Sequence, residues 1–545
     1  MDKSRPDTRL IQWSIVLLSL VYFSGLFIPL TGDAGKYAAI SRNIVESGDW
    51  INLQIHHHPY DQKPHLIFWL GALFFQLFGV SAVVFKLPVL LFSVLGFYST
   101  YRLGRLLYDR QTGLLAMLIL MSSEIWLLFS NDIHTDILMA SATAFGLWQL
   151  LTFLKEKKNI QFVLGFTGIG LAVLSKGLIA LAVPSLAIGG HLLARKQYRE
   201  LFHPRWLLGI PILMLFFLPT IIGIYGQLGF EGLRFYFWEN NFGRMSGEYK
   251  GNNNDLFFYF HTALYILLPW SLWFFLSFYL EGKDLLARKW KDRPNSDFIL
   301  FSGIALFWLI ISVARAKAPH FLLVISPLIA IVTAVWLNRI FSSEEFLRLR
   351  KVLTILILIL GPGFVVFAGL VAFFLFPSSA LFWIIWGLLA LISVFVILKT
   401  DSILRFVLIS VIGISAINFS FNLVLFPGMF SYHSTIPACN TFNKLAGNDD
   451  VLHTCNSIHR ELFFYCKKPG FYFEDADQLA EIVKQPHTWL YMDEVAYLQL
   501  KTKGIEFDEF FVFKHKELTR QSIRFLNPKT REKSLKNMYL VKIRN

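Results

Sequence analysis

The chain has 545 residues, of which 55% are hydrophobic and only 16% are charged, and its mean hydropathy is +0.52. Soluble domains carry about 25% charged residues, so this composition excludes an ordinary soluble protein and predicts a polytopic α-helical membrane protein. The formal charge of +14 does not predict a nucleic-acid partner. The Lys and Arg residues cluster in short loops between apolar runs, which is the pattern of membrane topology.

The apolar runs predict about thirteen membrane-spanning helices, because about 20 residues rising about 1.5 Å each cross a hydrocarbon core of roughly 30 Å. The first run covers residues 11–30, follows three basic residues and is not followed by a signal-peptide cleavage site. The other predicted spans are 82–104, 113–130, 137–153, 160–175, 178–194, 206–226, 256–281, 297–313, 321–338, 352–376, 380–398 and 404–424.

The apolar segment 66–79 determines the predicted topology. If it spans the membrane, the basic loops at 155–158, 195–199 and 283–293 all lie outside. If it is an interfacial segment, all of them lie inside. The positive-inside rule favours the second arrangement, so we predict that residues 31–81 form a first outer loop with juxtamembrane helices.

The composition changes after Phe426, which divides the chain into a predicted transmembrane domain (1–426) and a C-terminal domain (427–545). The tail alternates strand-like stretches (ELFFYC, TWLYMD, EFFVFK and MYLVKI) with a helical-looking DADQLAEIVKQ, which predicts a small α/β domain. An odd number of spans places it outside the cytoplasm. Its three cysteines, Cys439, Cys455 and Cys466, leave a disulfide open, since their number is odd.

With this topology, acids and bases gather in the outer loops, which predicts an outward-facing active site. Nucleotide sugars are cytosolic, so a transferase working outside needs a donor that crosses the membrane, such as a sugar linked to polyprenyl phosphate. Lys63, Arg244 and Lys317 are candidates to clamp the phosphate of that donor. Asp33 is a candidate to take a proton from an acceptor hydroxyl or to orient the acceptor, and Asp136 to share that work or hold a cation.

Each of these residues also fits a simpler role. Asp33 suits the N-cap of the helix that follows it. Lys63 and Lys317 suit interfacial anchors, and Arg244 suits a contact with lipid phosphate.

The run His56 to His58 contains metal-binding side chains, but three consecutive residues of an extended chain cannot all point one way. Glu124 falls inside a predicted span, which predicts that it faces other helices.

Several blocks, in the same order along the chain, resemble one family. They are DAGKYAAISRNIVESGDW (33–50), YDQKPHLIFWL (60–70), TDILMASATAF (135–145), VLSKGLIALAVP (173–184) and AKAPHFLLVISPL (316–328). These blocks are similar to those of the lipid A 4-amino-4-deoxy-L-arabinose transferases and their relatives, the protein O-mannosyltransferase-like enzymes (dolichyl-phosphate-mannose-protein mannosyltransferases).

The resemblance implies a C-type membrane glycosyltransferase (GT-C) fold and inverting transfer of a sugar from polyprenyl phosphate to lipid A, an envelope glycan or a protein. It places the chain in the bacterial inner membrane with the active site on the periplasmic side. By resemblance Asp33 is the catalytic acid, Asp136 is the second acid, and Tyr60 and Lys63 line the donor phosphate pocket. By the same resemblance Lys176, Lys317 and Arg244, which lies in a further similar block, GRM (243–245), are near this pocket. Arg315, which directly precedes the last block, is a further candidate to bind the donor phosphate. Protein O-mannosyl transfer specifically and transport of a lipid-linked sugar stay open as alternatives.

The chain departs from the aminoarabinose transferases at three places. Gln62 stands where the family has an acid before Lys-Pro, and Asn252 to Asn254 stand where it has a histidine. Because the family residues at those two places accompany a bound metal, no cofactor is assigned and a divalent cation stays open. Ala34 replaces a common acid after Asp33. These differences leave the donor sugar and the acceptor undetermined.

Overall fold

The computed structural model describes residues 8–56, 58–248, 251–287, 297–400, 402–456, 459–474, 478–479, 481–517 and 521–544. A large helical bundle is followed by a small domain built on a five-stranded sheet. The predicted architecture, a polytopic helical protein with a small C-terminal α/β domain, is confirmed. Residues 288–296, which include part of the third basic loop, lie outside the described residues, as does His57.

The first twenty helices lie within residues 8–430. They are α1 (Thr8–Gly25), α2 (Gly32–Ser47), α3 (Leu66–Phe78), α4 (Ala82–Leu107), α5 (Arg110–Met121), α6 (Glu124–Asn131), α7 (Thr135–Glu156), α8 (Asn159–Lys176), α9 (Ala182–Ala194), α10 (Tyr198–Leu201), α11 (Gly209–Arg234), α12 (Arg244–Ser246), α13 (Phe258–Ile266), α14 (Ser271–Ala287), α15 (Asp297–Val313), α16 (Ser326–Ser342), α17 (Leu347–Phe374), α18 (Ala380–Lys399), α19 (Ser402–Ser420) and α20 (Phe426–Phe430).

Eight helices in the described part of the chain are long and apolar enough to cross a membrane. They are Ala82–Leu107, Thr135–Glu156, Asn159–Lys176, Tyr198–Ser246, Pro319–Ser342, Glu344–Phe374, Ala380–Lys399 and Ile403–Phe430. The pair α5 and α6 passes the same test but bends by 49°, so it makes a ninth if it is one span. Most predicted spans coincide with one of the eight long helices or with a shorter apolar helix. The span 113–130 coincides with the pair α5 and α6, and the span 256–281 with the pair α13 and α14.

Helix α3 is a short helix held between α2 and α4. Its 13 residues extend about 20 Å at 1.5 Å per residue, less than the roughly 30 Å of a hydrocarbon core. The three helices approach closely at Gly71, where an added Cβ would lie 2.5 Å from both Phe85 and Ser41. This length and packing agree with the predicted juxtamembrane role, and they fix α2 and the loop before α3 against the bundle.

Helix α2 begins at Gly32, and Thr31 occupies the N-cap position. Asp33 therefore lies in the first turn, so the alternative that it is the N-cap residue is wrong. The helix ends at Gly48, whose φ of +73° is the left-handed conformation that favours glycine, and whose N–H donates to the carbonyl of Ile44.

Glu124, the first residue of α6, is buried inside the bundle as predicted. Its side chain accepts a hydrogen bond of 2.7 Å from the Asn418 amide, and its backbone N–H donates to the carbonyl of Leu268 at 2.8 Å. These contacts join three distant segments at the point where the α5–α6 pair bends, so the buried polar group is satisfied within the bundle.

The C-terminal domain holds a mixed sheet with the strand order β4-β3-β5-β7-β6. Its elements are α21 (Thr435–Leu445), β3 (Val451–Cys455), α22 (Leu462–Tyr465), β4 (Pro469–Phe473), β5 (Thr488–Asp493), α23 (Glu494–Thr502), β6 (Phe507–His515), α24 (Ile523–Leu526) and β7 (Lys536–Ile543). A hairpin of two short strands, β1 (Gln54–Ile55) and β2 (His58–Pro59), lies in the first loop. Strands β4, β3 and β5 are parallel, whereas β7 runs antiparallel to both β5 and β6.

Three of the four predicted strands are confirmed, since TWLYMD forms β5, EFFVFK lies in β6 and MYLVKI lies in β7. The prediction for ELFFYC is wrong, because it contains helix α22. Within the predicted helix DADQLAEIVKQ, residues 475–477 and 480 lie outside the described residues, and Ile482–Lys484 form a single 3₁₀ turn. All three cysteines are buried and unbridged.

The C-terminal domain docks on the start of the first loop. The Arg42 guanidinium on α2 donates to the carbonyls of Phe464 (3.0 Å) and Cys466 (2.7 Å). The Leu30 N–H donates to the Tyr465 hydroxyl at 2.8 Å. The domain therefore lies on the same side of the bundle as the first loop.

Candidate functional site

A cavity of about 470 Å³ contains most of the charged residues predicted for the donor site. Its lining includes three cations, Lys63, Lys176 and Arg244, and one carboxylate, Asp136. Most of its other walls are aliphatic or aromatic; they include Leu178, Ile179, Leu181, Leu186, Tyr236, Phe242, Phe307, Ile310, Ile311 and Phe321. The cavity thus offers a strongly positive surface and an extended apolar surface to the same ligand.

Asp136 and Lys176 form a buried ion pair at the ends of two packed helices. Asp136 lies in the first turn of α7 and Lys176 is the last residue of α8. The Lys176 ammonium lies 2.5 Å from both carboxylate oxygens. His134 Nδ1 and His320 Nε2 lie 3.7 Å and 4.0 Å from the same carboxylate. Asp136 therefore holds Lys176 in place, and its side chain is only 1% exposed.

Of the three cations in this cavity, Lys63 is the one that makes no hydrogen bond or ion pair with the described residues. It lies directly before Pro64, at the turn that leads into α3. Burial lowers the pKa of Lys63 to about 7, and the positive charge of Lys176 adds to this effect. An anion entering the cavity would favour the protonated form, so Lys63 fits a phosphate ligand.

Arg244 reaches the cavity from the short helix α12. The segment around Arg315 supports α12 from behind. The Ala316 N–H donates to the Arg244 carbonyl at 3.0 Å, and the Arg315 N–H donates to the Met245 carbonyl at 3.2 Å. These backbone hydrogen bonds fix the position of the segment that contains Arg244.

Arg315 and Lys317 are not brought into the cavity. The Arg315 side chain is exposed. The Lys317 ammonium donates to the carbonyls of Ser312 (2.5 Å) and Ala314 (2.6 Å), where it binds the C-terminal end of α15. In this structure both residues support the Arg244 segment and the end of a helix, while the cavity cations are Lys63, Lys176 and Arg244.

Asp33 faces a second, larger space. A cleft of about 1010 Å³ lies between the first loop and the C-terminal domain, and Asp33, Lys36 and His134 line its bundle side. The Asp33 side chain is 56% exposed and lies 2.6 Å from the Lys36 ammonium. Burial would raise the pKa of Asp33, but the Lys36 charge outweighs it and lowers that pKa below the usual range. Asp33 is therefore ionised at neutral pH.

Tyr60 lies behind this pair rather than in the cavity. Its ring is buried, and its centroid lies 5.6 Å from the Lys36 ammonium, which also lies 5.3 Å from the Tyr37 centroid. The Tyr37 hydroxyl donates to Asp33 at 3.4 Å. The two aromatic rings thus hold the lysine that orients Asp33, so Tyr60 contacts the acid side of the site.

His134 connects the two spaces. It lines the cleft, whereas Asp136, 3.7 Å away, lines the cavity. Burial opposes protonation of His134, but the carboxylates of Asp132 and Asp136 raise the pKa of His134 to about 9. The sequence reasoning gave His134 and His320 no individual role. The sequence did contain a signal for His134, because Asp132 and Asp136 each lie two residues from it.

A divalent cation, which the sequence left open, is not favoured at this centre. Ligand atoms of His134, Asp136 and His320 lie within 4.8 Å of one another. However, the Lys176 ammonium already binds both oxygens of Asp136, and its charge would repel a metal ion. Among the described residues, no potential metal group includes His56 or His58, and the His56 ring instead stacks on Phe463 at 4.4 Å.

Residues 62–222 match the family model described as dolichyl-phosphate-mannose-protein mannosyltransferase. The undecaprenyl phosphate-alpha-4-amino-4-deoxy-L-arabinose arabinosyl transferase of Edwardsiella ictaluri is 26% identical over 364 residues, which is 63% of this chain and 63% of that protein. Its counterpart in Pectobacterium carotovorum is 24% identical over 379 residues, 64% of this chain and 65% of that protein. The matched region thus spans slightly less than two thirds of these curated relatives.

The fold is similar over almost the whole chain to the crystal structure of ArnT from Cupriavidus metallidurans bound to undecaprenyl phosphate. The TM-score is 0.76, the identity is 17%, and the similarity covers 98% of both chains. The apo form of the same protein gives a TM-score of 0.75 at 17% identity and the same coverage. The chain therefore has the GT-C fold, and the resemblance predicted from its sequence is confirmed.

Proposed function

We propose that the chain is an inverting glycosyltransferase that moves a sugar from a polyprenyl-phosphate donor to an acceptor on the periplasmic side of the bacterial inner membrane. The observation that carries the proposal is the cavity in which Lys63, Lys176 and Arg244 meet extended apolar walls. A lipid phosphate needs both surfaces, one for its anionic group and one for its chain. The names of the curated relatives and the ligand of the ArnT structure support this donor class.

On the donor side, Lys63 and Arg244 bind the phosphate, and Asp136 holds Lys176 in place beside them. As the bond between the anomeric carbon and the phosphate oxygen breaks, its electron pair passes to the phosphate. The three cations neutralise that developing charge in a site with mainly apolar walls, where electrostatic interactions are strong.

On the acceptor side, the hydroxyl group occupies the cleft beside Asp33. Its oxygen forms a bond to the anomeric carbon while the phosphate leaves from the opposite face, and its proton passes to the Asp33 carboxylate. Asp33 is ionised at neutral pH because of Lys36, so it orients the hydroxyl and takes the proton as the new bond forms. The close approach of cleft and cavity at His134 fits a single displacement, which inverts the anomeric configuration.

The acceptor class is lipid A, another envelope glycan or a protein hydroxyl. We test it by mass spectrometry of lipid A, envelope glycans and envelope proteins from cells with and without the gene. The deletion is complemented with wild type, Asp33→Asn, or Lys158→Ala. Lys158 is a control because it lies in the exposed loop between α7 and α8, at the ends of these helices opposite to Asp136 and Lys176. One sugar mass should disappear on deletion, and wild type and the control should restore it whereas Asp33→Asn should not.

The same experiment contradicts the proposal in two ways. No mass change in any of the three fractions would favour transport of a lipid-linked sugar. Full restoration by Asp33→Asn would show that the protein acts without this carboxylate, as a carrier or a binding protein would.

A further inference from the structure

The C-terminal domain contains a cluster of three histidines and two carboxylates that the proposed reaction does not use. This histidine cluster consists of His433, His459, Glu461, His515 and Glu517. His433 precedes α21, His459 and Glu461 precede α22, and the other two lie at the end of β6. Three separate segments thus bring their metal-binding side chains to one place in the wall of the cleft that also contains Asp33.

The distances in the cluster are those of potential ligands. His433 Nε2 and His459 Nδ1 lie 2.6 Å and 3.5 Å from the same Glu461 oxygen. On the other side, His515 Nε2 lies 3.4 Å and His459 Nε2 lies 3.8 Å from the Glu517 carboxylate. Two ligands of a tetrahedral zinc ion, each about 2.1 Å from it, are separated by about 3.4 Å. Small side-chain shifts are therefore enough to admit an ion among His433, His459 and Glu461.

The more buried half of the cluster also contains an unsatisfied atom. The side chains of His433, His459 and Glu461 are 4%, 12% and 3% exposed. His433 Nδ1 is buried and has no hydrogen-bond partner in the described part of the chain. No hydrogen bond to Nδ1 in the described part of the chain therefore restricts the tautomer of His433, and the neutral ring can keep its proton on Nδ1 and present Nε2 to an ion.

We propose that His433, His459 and Glu461 bind one divalent transition-metal ion of the zinc class. Two imidazoles and one carboxylate are the donor set of three-ligand zinc sites, which keep a further position for water. His515 and Glu517 lie next to His459, and Glu517 faces its other ring nitrogen, Nε2. The Ser434 hydroxyl contacts His515 Nδ1 at 2.8 Å and the Tyr491 hydroxyl at 2.6 Å, which fixes the orientation of the His515 ring.

The site lies where the C-terminal domain meets the bundle. An added Cβ at Gly35 would lie 2.4 Å from the Glu461 Cβ, so Glu461 packs directly on the helix turn that contains Asp33. His433 belongs to the connection between the last bundle helix and the domain. A metal ion at this place joins that connection to the segment on α2, and it makes the cleft wall opposite Asp33 rigid.

The test is direct metal binding by the full-length chain in detergent. The protein is stripped with EDTA, dialysed and titrated with Zn²⁺ by calorimetry, and its metal content is then measured by mass spectrometry. Wild type should bind about one equivalent and melt at a higher temperature with zinc than without. His433→Asn and His459→Gln should each lose most of the bound zinc.

Two control variants locate the bound zinc. His487→Gln changes an exposed histidine of the same domain, and His134→Asn changes the group next to Asp136. Both should keep the zinc of wild type. A Co²⁺ absorption spectrum of the wild-type protein typical of a nitrogen and oxygen site gives a readout that needs no variant.

Three results would overturn the proposal. They are the absence of zinc binding by wild type, unchanged zinc in both His433→Asn and His459→Gln, and loss of zinc only in His134→Asn. Because metal binding is measured without transfer activity, failure of the glycosyltransferase proposal would leave this test intact.

Discussion

At the scale of single residues, the pairing of Asp33 with Lys36 should set the acid limit of the proposed transfer. The Lys36 charge lowers the pKa of Asp33, so the carboxylate stays ionised until the pH falls through that lowered value. In Lys36→Met the pKa should rise, and activity should be lost at a higher pH as the solution is acidified. Lys36→Arg keeps the positive charge, so its activity should fall at the same acid pH as that of wild type. The pH dependence of kcat/KM measures this, and identical acid limbs in wild type and Lys36→Met would contradict it.

Lys63 should control donor binding on the alkaline side of neutrality. Its pKa of about 7 means that it loses its charge as the pH rises through neutrality, and a phosphate ligand is then bound less well. The KM for the donor should therefore rise above neutral pH in wild type, whereas Lys63→Arg should remove this rise.

Lys63→Ala removes the charge at every pH. Loss of one hydrogen bond to a charged group should lower kcat/KM by about 10- to 100-fold. Normal chromatographic behaviour of the variant serves as the control for folding, and wild-type turnover by Lys63→Ala would rule out the phosphate role.

The sequence singled out charged residues that the structure places in the cavity and the cleft, but it did not predict how they pair. Asp33, Lys63 and Asp136 are recognisable because they are polar residues beside apolar segments. The bond from Lys176 to Asp136 links residues 40 positions apart, and the contacts of Lys317 are to backbone carbonyls, so neither has a signal in composition or spacing. The histidine cluster was missed for the same reason, since its members are spread over residues 433–517.

At the scale of elements, hydropathy predicted the long helices because a span must be apolar along its whole length. It failed at ELFFYC, since a six-residue apolar run has no periodicity that separates a strand from a helical turn. There the surroundings decide: Leu462 and Phe464 of α22 are buried, and the Phe464 ring lies 6.0 Å from Phe75 of α3. Short elements at an interface therefore take their structure from a partner that is distant in the sequence.

The contact between α2 and the segment of Glu461 should be sensitive to one methyl group. Gly35→Ala places a Cβ 2.4 Å from the Glu461 Cβ, and overpacking of this kind costs about 1–3 kcal/mol. The variant should melt at a lower temperature and lose transfer activity, because Asp33 lies two residues away. Gly189→Ala in α9 is the matched control, since nothing lies within 4 Å of the added Cβ. Equal melting temperatures of the two variants would contradict this packing.

At the scale of the whole molecule, the site is formed by two parts of the chain that meet around the first loop. The bundle supplies the cavity with Lys63 and Lys176, and the cleft with Asp33 is completed by residues of the C-terminal domain such as Arg460 and Glu461. The sequence predicted the helical bundle and the C-terminal domain, and it predicted that the domain lies on the same side as the first loop. It did not predict the cleft between the domain and that loop. An interface depends on which surfaces fit together, and hydropathy carries no information about that fit.

The docking of the domain depends strongly on Arg42, whose guanidinium binds two carbonyls of the segment 464–466. In Arg42→Ala those carbonyls lose a charged donor, which costs about 1.5–3 kcal/mol. The domain should then open about 10- to 100-fold more often, so limited proteolysis near residues 427–434 should accelerate when cleavage follows the opening equilibrium. Arg544→Ala is the control, since that guanidinium pairs with Glu506 and Asp508 within the domain itself. If both variants are cleaved at the wild-type rate, Arg42 does not hold the domain, and the cleft beside Asp33 must be closed by other contacts.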